Sequence, residues 1–122
     1  MKGWQGEWND YFAREIAAWG RRSRALAAEG RGDEARFAQI RGNVFGIFQA
    51  VLAAAEKACG GDEAAARAFV LERAEQIPER WRAAWEAASA RGDGEAMHIE
   101  RLKLDTAGEI RGRMLKCWEE RV

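Results

Sequence analysis

One long apolar stretch limits what this chain can fold into. Between residues 37 and 58, Phe37, Ile40, Val44, Ile47, Val51, Ala54 and Ala58 recur at alternating spacings of three and four, with Phe45, Phe48, Leu52 and Ala55 flanking them. Apolar residues at that period line one face of an α-helix, and the flanking residues widen the stripe until it can touch neighbours on more than one side. A helix of that kind has to be surrounded, which specifies a helical bundle. No stretch alternates with period two over strand length, so no sheet is expected.

The rest of the chain punctuates itself. Gly-Asp-Glu-Ala occurs at residues 32–35 and again at 61–64, and residues 92–96 are a near copy. In each, a glycine is suited to ending one helix, an aspartate to capping the next, and a glutamate to the positive end of its dipole. The only proline, Pro78, disfavours helical geometry at Ile77 and fits the first turn of a new helix. Five helices are therefore predicted, at 4–29, 33–59, 62–76, 78–91 and 93–120. The expected fold is all-α: an antiparallel, up-and-down bundle of about five helices, three long and two short, in a single domain over residues 1–122, with the second helix the most buried. The segments between the recurring cap signals differ in plan, so they are read as independent helix starts and not as a repeat array.

A chain of 122 residues, 48% hydrophobic and 33% charged, has core enough to fold without disulfides or metals. Twenty basic residues balance 20 acidic ones, so nothing draws the chain to phosphate backbones or anionic lipid, and neither nucleic acid nor membrane is an expected partner. The N-terminus lacks the apolar segment of a secretory signal, and the run from 44 to 55 is too short to span a bilayer. A cytoplasmic location follows as the expectation. Cys59 and Cys117 form no CxxC and are expected to be reduced thiols near helix ends.

Six tryptophans are many for this length. Trp4, Trp8 and Trp19 fall within about 60° of one another on the first helix, with Tyr11 and Phe12 on or beside the stripe. Trp81 and Trp85 share a face four residues apart. Such residues build either a tryptophan-rich core or an aromatic-lined pocket. Glu15 projects into the aromatic stripe, with Arg22 on the same line and Lys103 inside the stripe of the last helix. It would serve as an acid or base if buried, or as an ion-pair partner across a helix contact, but the simplest expectation is that these long side chains reach the rim and stay solvated. Glu95 and His98 have the Glu-x-x-His spacing of di-iron bundles, but the single histidine leaves such a site incomplete, and no metal is expected. Arg-Gly-Asp at 31–33 and 91–93 falls at helix junctions where Gly and Asp have capping duties. Gly42 and Gly46 either admit a close helix or mark a tolerant surface. No phosphate loop, nucleophile elbow, zinc spacing or dinucleotide fingerprint is present.

The last helix carries a second apolar line, Met97, Leu104 and Leu115, with Trp118 between it and the main stripe. A helix with two apolar lines is either wedged between neighbours within one fold or part of an oligomer contact, and a chain this short has few helices to cover both, which favours a homodimer. The expected function is thus a non-catalytic, cofactor-free protein–protein interaction or assembly module, most simply a homodimer meeting through Met97, Leu104, Leu115 and Trp118. The alternative is a bundle that binds a small ligand in a Trp-lined pocket around Glu15, formed by Trp8, Phe12, Trp19, Trp81 and Trp85.

Overall fold

The computed structural model describes residues 4–120, and all of its regular structure is helical. There are four helices, not five: α1 (Trp4–Ala28), α2 (Gly32–Cys59), α3 (Glu63–Arg91) and α4 (Gly94–Glu120). The side chain of Trp4, first member of the aromatic stripe, lies outside the described residues. No described helix is long and apolar enough to cross a membrane.

The expected aspartate caps form at two of the three junctions, and at the second of the three the turning glycine is Gly60, not Gly61. Asp62 Oδ1 accepts from the Ala65 N–H at 3.1 Å, and Asp93 Oδ1 accepts from the Ala96 N–H at 3.1 Å, so both aspartates start helices as expected. At the first junction the turning glycine is Gly30 (φ 78°), and Asp33 lies inside the first turn of α2. The cap position there belongs to Arg31, whose side chain instead pairs with Glu29 and Glu34. The Arg31 N–H reaches back to the Leu26 carbonyl (2.9 Å), and the Asp93 N–H reaches the Ala88 carbonyl (2.9 Å) past Gly92. Both are bonds that close a helix whose next residue is left-handed.

The third and fourth expected helices are one. Pro78 sits inside α3 and is buried. Its ring removes an N–H and crowds the carbonyl of Ala74, a penalty of about 3 kcal/mol in an isolated helix. Ala74 is itself buried, and the residues before and after the proline pack on the rest of the bundle. Tertiary burial therefore outweighs the local preference to break.

Helix directions alternate, but the packing is not square. The α1–α2 pair is antiparallel, pinned by Asn9 Nδ2 donating to Glu56 (3.2 Å) at one end and Ser23 Oγ donating to the Ala35 carbonyl (2.7 Å) at the other. The α3–α4 pair is antiparallel too, with Arg67 over Trp118 and Arg111 against Glu75 (3.3 Å). α2 touches all three other helices, including α4 along a bundle diagonal, whereas α1 approaches the backbone of α2 alone. α2, α3 and α4 thus form a triangle, and α1 lies against α2 outside it.

The buried side of α2 is rotated from the stripe expected. Phe45, Phe48, Leu52 and Ala55, the expected flank, are buried with Val44 and Val51, while Ile47, Ala54 and Ala58 are exposed. Phe48 and Leu52 join Phe12, Val70, Ile110 and Met114 in the centre, and Ala55, Ala66, Ala74 and Ala107 let the helices close on them. Side chains of this size contribute about 1.5–3 kcal/mol each when fully buried.

Gly42 and Gly46 separate in role. A Cβ on Gly42 would stand 3.2 Å from Trp19 Cβ, whereas one on Gly46 would meet nothing within 4 Å. Gly46→Ala should therefore stabilise the protein by up to about 1 kcal/mol, while Gly42→Ala loses that gain to displacement of α1. Urea unfolding checks this, and equal gains at both positions would show that Gly42 does not set the α1–α2 spacing.

Candidate functional site

The residues expected to line one pocket are dispersed. Trp8 (5% exposed) and Phe12 (0%) belong to the core. Trp8 packs on Tyr11 (ring centroids 5.4 Å apart), Phe12 (6.0 Å) and Trp118 (6.4 Å), and Phe45 completes this aromatic cluster. Trp19 is half-buried on the α1–α2 side, where the guanidinium groups of Arg22 and Arg41 lie 5.4 and 5.3 Å from its ring. Glu15 is half-buried on a shallow face made of α1 residues alone. Trp81 and Trp85 are half-buried on α3, and Trp81 borders a groove shared with α2.

The other polar candidates have partners of their own. Lys103 pairs with Glu100 at 3.2 Å, Glu95 with Arg36 at 3.0 Å, and the His98 ring stands edge-on to Phe37 with centroids 4.6 Å apart. Among the described residues, no three of His, Cys, Asp and Glu are grouped to hold a metal ion. On α4, Met97, Leu104 and Leu115 are each half-buried, and Trp118 is buried against Trp8.

Three surface depressions between helices combine apolar residues with a cationic rim; the one around Trp19, Leu26 and Phe37 has Arg31 held by Glu29 and Glu34, and the other two are the candidate sites. The first is a groove of about 360 Å³ between α2 and α3, lined by Ile47, Arg73, Gln76, Ile77, Arg80 and Trp81. Ile47, 39% exposed, is the one exposed large hydrophobic residue among those described. It continues a line of exposed residues on α2, Asn43, Ile47, Ala50 and Ala54, spaced by three and four. From 42 to 55 α2 carries no charge at all, so this solvent-facing line has none of the charges that usually mark an outer helix face. Arg73 lies over the Phe69 ring at 5.0 Å, and the groove has no carboxylate in its lining.

The second is a cleft of about 460 Å³ between the first half of α1 and the last turns of α4. Glu7, Trp8, Tyr11 and Arg14 line it from α1, and Arg113, Lys116 and Cys117 from α4. It exists because the two backbones stay apart while the indoles of Trp8 and Trp118 meet between them. The Arg113 guanidinium stacks over the Tyr11 ring at 4.2 Å. Arg113 and Lys116 gave no sign of this role in the sequence, because a basic residue near a helix C-terminus already has a reason to be there.

Compared with protein-family models, curated proteins and solved structures, the chain matches none.

Tyr11 reports on the cleft. Burial pushes its phenol above the ordinary value of 10.0, the Arg113 cation pulls it back, and the negative charges of Glu15 and Glu109 raise it further. An acid whose folded pKa exceeds its unfolded value stabilises the fold below the unfolded value and loses that share as pH rises through the folded one. Tyr11 is the only tyrosine, so phenolate absorbance follows it alone. Its midpoint should lie above 10.0, and Arg113→Gln should move it higher still, with stability falling over the same alkaline window. An unchanged midpoint in Arg113→Gln would mean that the guanidinium does not lie on the ring in solution.

Proposed function

We propose that this protein is a non-catalytic interaction module that docks an acidic, amphipathic segment of a partner protein on the α2–α3 face. The observation that carries this is the exposure of Ile47 beside Ile77 and Trp81, under a rim of Arg73 and Arg80 with no carboxylate in the groove. Apolar anchors at helical spacing are what a helix in a groove presents, and flanking acidic residues would meet the two arginines. Buried apolar area supplies the affinity, while the rim charges steer the approach and reject basic segments.

Charge also argues about the partner's identity. A second copy placed by a two-fold axis on this face would set one cationic rim against another, with no carboxylate in either groove lining, so a different chain suits the face better than a homodimer does. The α4 line expected to form a dimer is half covered by the chain's own helices, which leaves less apolar surface there to drive assembly.

Two model peptides test the proposal on the full chain. Both carry Leu at helical i, i+3 and i+7 positions, one flanked by Glu and the other by Lys. The Glu peptide should shift amides of the α2–α3 face saturably and bind at least tenfold tighter than the Lys peptide. Its binding should weaken as salt rises. Ile47→Glu, a change at an exposed position, should abolish it while leaving helicity intact. Equal binding of the two peptides, or shifts away from this face, sinks the idea. A dimer in native mass spectrometry that Ile47→Glu dissociates would replace it with self-assembly.

A further inference from the structure

The α1–α4 cleft has no part in the docking face, and its chemistry is of a different kind. It is bounded on two sides and, at about 460 Å³, lies within the range of small-molecule sites. Its floor is aromatic: Trp8 is buried beneath it and Tyr11 is half-buried at its wall. Its rim holds three cations, Arg14 from one helix and Arg113 and Lys116 from the other, against the single carboxylate of Glu7. Among the described residues none of the three cations is held in an ion pair, whereas Arg41, Arg67, Arg101 and Arg111 each have a carboxylate partner. Arg113 is held differently, by stacking on Tyr11. A guanidinium held over a ring face by its charge still has N–H donors to offer an anion.

We propose that this cleft binds a small aromatic acid, a flat apolar body bearing one carboxylate, sulfonate or phosphate. The flat body would lie against Trp8 and Tyr11, with the soft thiol of Cys117 at its side. The anionic group would take charge-assisted hydrogen bonds from Arg113 and from Arg14 or Lys116. A bare inorganic anion makes no use of the aromatic floor, and a neutral aromatic makes no use of the rim. Only a ligand with both parts satisfies both.

The test uses the whole chain and three probes: 2-naphthoate, 2-naphthylmethanol and inorganic phosphate. The expected result is saturable binding of 2-naphthoate at least tenfold tighter than the alcohol, with amide shifts at Tyr11, Arg113 and Cys117 and none at Ile47. Lys116→Glu, an exposed change that leaves the Tyr11 stack in place, should weaken naphthoate at least threefold and leave the alcohol unchanged. Arg113→Glu should cost more, since it removes the stacked donor. Equal affinity for naphthoate and the alcohol overturns the anionic half of the proposal. Displacement of naphthoate by phosphate at matching concentration overturns the aromatic half. Shifts at the α2–α3 face, or no saturation, overturn the site altogether. None of these outcomes bears on the peptide experiment, because the two surfaces share no lining residue.

Discussion

The burial of α2 is the constraint on which the rest of the structure depends. For fourteen consecutive residues, 42–55, this helix has no charged side chain to offer water. Phe45, Phe48 and Leu52 must be covered from more than one direction, which takes three helices. That requirement explains why α4 crosses the bundle to reach α2, and why α1 needs no other backbone neighbour. It also explains the tolerance of Pro78. The halves of α3 on either side are held in place by what they cover, and about 3 kcal/mol of local penalty is small beside several fully buried side chains.

Much of this was legible in the sequence, and the failures have identifiable physical causes. The helical class followed from period alone, and the junctions followed from Gly and Asp chemistry, since Asp62 and Asp93 do cap. The number of helices did not follow, because residue-level rules describe Pro78 in an isolated helix and cannot weigh the packing around it. Which side of α2 is buried did not follow either. Ile47 and Phe48 are about 100° apart on a helix that is apolar nearly all round, so period offers no basis for choosing between them. Choosing the wrong one hid the exposed Ile47, which is the residue the α2–α3 face is built on. The aromatic residues were visible as a group, but their separation into a core cluster, an arginine-flanked Trp19 and a groove at Trp81 depends on which helices touch.

Neutral overall charge conceals local order. The acidic and basic residues cancel over the chain, yet both candidate sites gather arginine or lysine around an aromatic or aliphatic floor. Several of the acidic residues are spent in pairs elsewhere, as in Arg36–Glu95, Arg101–Asp105 and Arg67–Glu63. A balanced sum therefore says little about what either surface attracts, because a ligand responds to the charges within a Debye length and not to the total.

The packing also separates local contacts from non-local ones. α1 with α2, and α3 with α4, are hairpins closed by the short turns at 29–31 and 92–93, so each pairing costs little loop entropy and can form early. The α2–α3 turn at 60–62 is as short, so the non-local contacts are those that carry α4 to α2 and, through Trp8 and Trp118, to α1. Both candidate depressions lie between the α1–α2 pair and the α3–α4 pair, one where α1 faces α4 and the other where α2 faces α3. Neither depression belongs to one helix pair alone, so each exists only where the two pairs meet.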